Sequence, residues 1–421
     1  MTIKSIPVEP VPTKRRIING GAILFIGLLI LLLFTRGSEP GQTATFGMNP
    51  SKSEAAIIIP DLVVPVQGSL YLLILITVFL GARQFMRGAH SFGAAIGIVA
   101  FCFVAAFLIW ATKDKSFNLV GMLSSSLVRA TPIALAALCG VISERAAVVN
   151  IGIEGTMLLA AQACVISATV SKSLMVGLFV ALFTGALVAA IHAVLVIRFK
   201  VDQIVSGVAI NIFGAGATSF VAQRYLEVYG DTINYSGTFK IVAIPLLSKI
   251  PVLGPIFFEN GPIVYMMLAV VIVMHIVLFY TPWGLRTRAV GEHPKAADTL
   301  GINVFLIRYV NVIIGGMIAG LGGAYFILGS VGRFDQNLTA GKGFIGLAAM
   351  IFGKWTPIGA FLSSLLFGFA DSLQIKMQIL SVPIPSAFLA MAPYIVTIIV
   401  LTGVVGRANP PAADGQPYEK Q

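Results

Sequence analysis

Runs of about twenty apolar residues recur along almost the whole of this chain, each long enough to cross a hydrocarbon layer about 30 Å thick as a helix. Of its 421 residues, 57% are hydrophobic and only 11% charged, too few charges to clothe a water-facing surface. The expected fold class is therefore all-α, a polytopic integral membrane protein with about 10–12 transmembrane helices. Twelve segments qualify: 17–35, 61–81, 91–112, 119–142, 151–171, 174–197, 203–222, 263–280, 305–328, 344–353, 357–375 and 388–403. The basic cluster Lys14, Arg15 and Arg16 precedes the first with no small-residue cleavage site after it, which reads as a retained span with a cytoplasmic start. If all twelve cross, both termini are cytoplasmic, and the loops then placed inside carry the larger share of Lys and Arg. The net charge of +11 is spread through loops without a stripe, so positive-inside loops account for it better than nucleic acid does.

Two places break the apolar pattern. Residues 344–353 are too few to span as a helix, and Lys354-Trp355-Thr356-Pro357 follows as a break, so a half-helix is as good a reading as a crossing. Trp355 is a candidate for the membrane interface. Residues 143–155, SERAAVVNIGIEG, pack Glu144, Arg145, Asn150, two glycines and Glu154 between two long apolar runs. Lipid offers such groups no partner, so polar backbone at that depth needs protein or a water-filled cavity beside it. A plain polar turn is the competing reading.

Two segments lie outside the membrane. Residues 224–261 are mixed, with Pro245, Pro251 and Pro255, and are placed outside the cell. Residues 281–303 form the largest cytoplasmic loop. Within it Pro294 suits a first helical position and Gly301 the position just past the end, with Ala296, Ala297 and Leu300 on one face. A short surface helix there is a docking element or a connector.

Chemistry is mostly missing. There is no phosphate-cradling G-x-x-x-x-G-K-[ST], and 341–346 match G-x-G-x-x-G without the strand that a dinucleotide site needs. Cys102, Cys139 and Cys164 lie in apolar runs, and the four histidines show no metal spacing. The chain is not expected to be an enzyme, and no metal or cofactor is expected in it. Polar groups inside spans carry the remaining signal: Arg129, Asn150, Glu154, Asp371, and Gln203 with Asn211, eight apart on one helix face. Each alone reads equally as a helix–helix contact; together they suggest a path for a neutral, hydrogen-bonding solute. Gly93/Gly97 and Gly316/Gly320, at G-x-x-x-G spacing, read as close helix packing.

At SERAAVVNIGIEGTMLLAAQ the chain resembles the inner-membrane permease subunits of bacterial ATP-binding-cassette (ABC) importers. The branch is that of nucleosides and simple sugars, related to the ribose and branched-chain amino-acid permeases. The likeness continues through DQIVSGVAINIFGAGATSF, TPWGLRTRAVGEHPKAADTLGINVFLIRY, GKGFIGLAAMIFGKWTPIGAFLSSLLFGFADSLQ and PPAADGQPYEK, with Ala147 where a glycine is usual. It implies an N-terminal extension over 1–118 with about three spans. The permease core would run over 119–404, with the coupling loop at 281–303 and a cytoplasmic tail at 405–421. It further implies partners: an ATPase subunit that binds ATP and Mg, a homologous second permease, and an extracytoplasmic solute-binding protein or lipoprotein, all at the bacterial cytoplasmic membrane among its lipids. By resemblance Gly291, Glu292, Pro294, Ala297, Asp298 and Gly301 belong to the helix that meets the ATPase. Asn150, Glu154, Gln203, Asn211 and Arg129 become candidates for the solute path. A nucleoside is the expected solute. The competing readings are a simple sugar, an ion-driven secondary transporter, which should show inverted repeats, and a membrane scaffold.

Overall fold

The computed structural model describes residues 13–49, 58–87, 92–382, 384–385, 388, 391 and 410–420. Among them, ten helices are long and apolar enough to cross a bilayer. The expected span at 388–403 lies, but for two residues, outside the described residues. The helices are α1 (Thr13–Phe34), α2 (Val66–Arg87), α3 (Phe92–Ala111), α4 (Leu119–Glu144), α5 (Ile153–Ser171), α6 (Leu174–Ala193) and α7 (Gln203–Val221). They continue as α8 (Pro262–Tyr280), α9 (Pro282–Glu292), α10 (Pro294–Thr299), α11 (Val304–Phe326), α12 (Lys342–Phe352) and α13 (Pro357–Ile379). α6, α7 and α11 each run on through a wide π turn, as far as Arg198, Leu226 and Val331. α12 has 11 residues, about 16 Å, and is the half-helix that the short apolar run allowed.

The chain divides into two units, Met1–Gly121 with Lys376–Ile384, and Met122–Ile375 with Pro385–Gln421. In the first, α1 and α2 approach closely because Gly20 faces Phe85 and Gly81 faces Leu24, where any Cβ would come within 3 Å of the neighbour. Three short strands, β1 (Thr43–Gly47), β2 (Leu62–Pro65) and β3 (Ser116–Asn118), pair in the order β2-β1-β3, with β1 antiparallel to β2 and parallel to β3. The expected packing role of Gly93 and Gly97 fails here: no described atom lies within 4 Å of a Cβ placed at either.

In the second unit α4, α5 and α11 are the buried centre, while α6, α7 and α8 turn side chains such as Phe179, Phe183, Ile212 and Ile272 outward. Lipid supplies no hydrophobic drive between helices, so they are held by close fit. Gly316 and Gly320 meet Gly185 and Ala181 of α6 backbone to backbone, as their spacing predicts; a Cβ on Gly185 would lie 2.1 Å from the Gly316 carbonyl.

The break after α4 is a Schellman turn. The Val148 N–H donates to the Ser143 carbonyl and the Ala147 N–H to that of Glu144, which requires Ala147 to be left-handed, at φ +62°. A glycine would adopt this conformation without strain. An alanine in this conformation stores about 1–2 kcal/mol, offset by the entropy a glycine would lose and by the contacts of its buried methyl. Ala147→Gly should therefore move thermal stability in detergent by no more than about 1 kcal/mol, whereas Ala147→Val, branched and overpacked, should cost at least about 2 kcal/mol. Equal melting temperatures for the valine variant and the parent would contradict this geometry.

Candidate functional site

The turn between α4 and α5 is held by the polar side chains that the sequence singles out. Asn150 Oδ1 accepts from the Gly152 N–H, folding the chain back into α5, and its amide nitrogen faces Cys139 Sγ at 3.7 Å. Gln203, the first residue of α7, accepts the Val149 N–H at 2.6 Å. Two turns further along α7, Asn211 does double duty: its Nδ2 donates to the Ile151 carbonyl and its Oδ1 accepts from the Gly155 N–H. Gln203 and Asn211 thus do share a helix face, and that face clamps the broken backbone. His192 completes the clamp, one ring nitrogen on the Val149 carbonyl and the other on Ser206.

Glu154, in the first turn of α5, reaches across to α12. Its Oε1 accepts from the Thr339 hydroxyl at 2.5 Å and the Gly341 N–H at 2.8 Å, and its Oε2 from the Gly343 N–H at 2.6 Å. These are the free N–H groups and the positive dipole end at the start of the half-helix. The G-x-G of 341–343 therefore does cradle an anion, an internal carboxylate. Gly343 has no room for a side chain: a Cβ would sit 2.6 Å from Glu154 Oε2.

Beside this clamp lies a cleft of about 330 Å³ lined by Glu154, Leu158, Asn211, Ile212, Asn337 and Phe344, among others. Its volume is at the lower end of what small-molecule sites enclose. It lies some 12 Å along α7 from its first residue, well inside the span. Leu158, Ile212 and Ala215 make the walls apolar, and the Phe344 ring is 48% exposed. The Asn211 amide keeps a second N–H and Glu154 Oε2 a lone pair beyond the bonds that hold them. The arrangement suits a flat, uncharged molecule with hydrogen-bonding edges.

Arg129 is not on this cleft. Its Nη1 lies 3.5 Å from Asp371 Oδ2 on α13, and the Lys342 ammonium at the start of α12 donates to the same oxygen at 2.9 Å. Two cations on one carboxylate link α4, α12 and α13 at a depth where an unpaired charge is costly. Lys342 and Phe344 were not among the residues that the sequence marked, because a lysine and a phenylalanine flanking glycines carry no signal until α12 proves to stop short.

Glu144, Arg145 and Trp355 gather at the far end of α12. Lys354 and Trp355 both have positive φ, and the turn they make buries the indole to 6% exposure. The indole is therefore packed inside the protein rather than turned outward. Its Nε1 donates to Glu144 Oε2 at 2.5 Å, while Arg145 donates to the Trp355 and Lys354 carbonyls. Burial lowers the Arg145 pKa from its ordinary value, with Glu292 nearby pulling it back.

The expected surface helix is present as α10, opened by Pro294 and closed by Gly301 at φ +80°. A second helix, α9, precedes it, so the loop is an elbow. Gly291 packs against the Arg145 carbonyl, where a Cβ would lie 2.3 Å away. Trp283 and Thr287 of α9 both bond Asn311 of α11. The expected apolar face is corrected: Ala297 is buried with Ala146, Val290 and Tyr418, whereas Ala296 and Leu300 are exposed, Leu300 to 81%. The chain enters α10 at His293 rather than continuing α9, which rotates that pair outward. Glu292 accepts from the Ala412 N–H, and Asp298 meets the Tyr418 hydroxyl.

A family model described as branched-chain amino acid transport system, permease component, matches residues 122–403. The guanosine ABC transporter permease protein NupQ of Bacillus subtilis (strain 168) is 45% identical over 310 residues, 70% of this chain and 95% of that protein. The nucleoside ABC transporter permease protein NupC of Lactococcus lactis subsp. cremoris (strain MG1363) is 42% identical over 312 residues, 71% of this chain and 96% of that protein. A Haloferax volcanii protein provisionally named as a glucose ABC transporter permease, TsgC13, is 35% identical over 307 residues, 69% of this chain and 93% of that protein. No solved structure matches the chain.

The clamp makes a sharp prediction. An amide at 154 must turn an N–H either toward the Gly343 N–H or toward the Thr339 and Gly341 donors. Glu154→Gln should therefore destabilise nearly as much as Glu154→Ala, by about 1–3 kcal/mol for each donor left unpaired. Thermal unfolding of the purified protein reads this; a glutamine variant as stable as the parent would show that the carboxylate does not hold α12.

Proposed function

We propose a function from one established premise: the chain belongs to the family of permease components of branched-chain amino acid transport systems. On that premise it is the membrane subunit of an ABC importer, and its solute is a nucleoside. The solute class is supported by the two relatives at 45% and 42% identity, both named for guanosine or nucleoside transport. The observation that carries it in this chain is the cleft at Glu154, where a half-exposed Phe344 ring lies beside the Asn211 amide. A base can stack on the ring and bond through its edge, and the one carboxylate in the lining, Glu154, is already held by Thr339, Gly341 and Gly343.

The division of labour follows. A separate ATPase subunit at the cytoplasmic face binds and hydrolyses ATP with Mg, a binding protein or lipoprotein delivers solute from outside, and a second homologous permease completes the path. The elbow of α9 and α10 receives the ATPase, with Leu300 and Ala296 as apolar contacts and Gly291, Glu292, Pro294, Ala297, Asp298 and Gly301 setting its shape. Its displacement moves packed helices as rigid bodies between inward-open and outward-open arrangements. In this reading Asn150, Gln203 and Asn211 keep the broken segment of the path in shape, Glu154 fixes the half-helix at its edge, and Arg129 with Asp371 and Lys342 fixes the half-helix from behind. Both termini lie in the cytoplasm of a bacterial cell, and residues 1–118 form an extension to a permease core at 119–404. The relative named for glucose keeps a sugar as the second reading.

Uptake of radiolabelled guanosine, uridine, adenosine and ribose separates these readings in cells with and without this gene, alongside a Walker-lysine variant of the cognate ATPase. Loss of nucleoside uptake in both mutants is the expected result. Loss of ribose uptake alone would move the protein to the sugar branch. Nucleoside uptake that needs this chain but persists without the ATPase would overturn ATP coupling.

A further inference from the structure

The last described stretch, residues 410–420, is wedged between the elbow and the broken end of α4. The Ala413 N–H donates to the Gly291 carbonyl at 3.0 Å and the Ala412 N–H to Glu292 Oε2 at 3.2 Å. Arg308, 1% exposed near the start of α11, donates to the Gln416 carbonyl at 3.1 Å and lies 5.9 Å above the Tyr418 ring. That ring packs 5.3 Å from Phe305, and its hydroxyl meets Asp298 on α10. On the other side Asp414 lies against Glu144, and Gly415 faces Val149 in the turn before α5, where a Cβ would lie 3.5 Å from its Cγ2. Burial pushes the Asp414 carboxyl up to about 6, against the pull of Glu144, the Gly415 backbone and Arg308, which all lower it.

Such a stretch, rich in proline and alanine, has no reason of its own to be ordered, because it forms neither helix nor strand. Buried side chains and backbone bonds hold it, supplied by the elbow, the end of α4 and the first turns of α11. Glu144 is also the acceptor for Trp355, which closes α12. A continuous set of contacts therefore runs from α10 through Tyr418, Arg308 and Asp414 to Glu144, Trp355 and the half-helix, whose other end lines the cleft.

We propose that residues 410–420 are a strut that carries displacement of the elbow to α12, with Tyr418 and Asp414 as positioning residues. The inference rests on the reading of the elbow as the ATPase contact. Removing the strut leaves α10 and its exposed Leu300 in place, so the ATPase still docks, but the half-helix no longer follows it.

The test uses the assembled transporter, this chain with its ATPase, second permease and binding protein. Hydrogen–deuterium exchange is followed across 291–301 and 342–355, with and without a non-hydrolysable ATP analogue. In the parent both segments should respond to the analogue. In a chain ending at residue 409, and in Tyr418→Ala, the elbow should still respond while the change in exchange across 342–355 falls roughly tenfold; Tyr418→Phe, which keeps the ring, should restore it. A truncated chain whose half-helix responds as the parent's does overturns the strut. So does loss of the whole complex in both the truncated chain and Tyr418→Ala, which would make the segment part of the fold. An elbow that does not respond in the parent overturns the ATPase-contact reading and the strut with it. Because the readout needs no solute, a failure to import nucleosides leaves it standing.

Discussion

The carboxylate of Glu154 on the backbone of Gly341 and Gly343 is the interaction on which the second unit turns. A helix that stops partway through a membrane leaves N–H groups with neither a preceding turn nor water to satisfy them. Satisfying them from α5 lets α12 begin beside Asn211 and Leu158, and so opens a cleft inside the span. Continuing α12 upward would fill that space with backbone; leaving its end uncapped would expose buried donors. The glycines follow from the same requirement, since a side chain at 343 would displace the carboxylate.

The charges on either side make sense from this start. Lys342 sits at the dipole end that already binds Glu154, where an ammonium is disfavoured, and Asp371 with Arg129 gives it an acceptor within a three-charge cluster. At the other end the chain makes two consecutive left-handed residues to turn into α13, and buries Trp355 against Glu144. The half-helix is therefore pinned at both ends by acidic residues that flank one break, Glu144 before it and Glu154 after it. That spacing of ten residues is what the sequence SERAAVVNIGIEG encodes.

Much of this was legible in the sequence, for particular reasons. Apolar length identifies spans because lipid leaves helices no alternative, and it also marked 344–353 as too short. Proline and glycine bracketed α10 because their backbone preferences act locally. What the elbow buries was not legible: the face of a six-residue helix depends on the angle at His293, and Leu300 came out exposed. The partner of Arg129 was foreseeable only as a need, because Asp371 is 242 residues away. Asn211 and Gln203 were read as solute ligands or helix contacts. The structure spends most of their hydrogen bonds on backbone, which shows how a broken helix hides its cost in the side chains of its neighbour. The burial of Trp355 was not legible, because the acceptor that claims its indole, Glu144, sits far away in the chain.

The central claim is that the half-helix held by Glu154 borders the place where solute passes. Photolabelling tests it most directly: a photoactivatable purine nucleoside is crosslinked to the assembled transporter, and the modified peptides are mapped, with excess unlabelled nucleoside as competitor. Competable label is expected within 337–344 and 211–215, the lining of the cleft. Competable label confined to other helices, with none on these two segments, would contradict it.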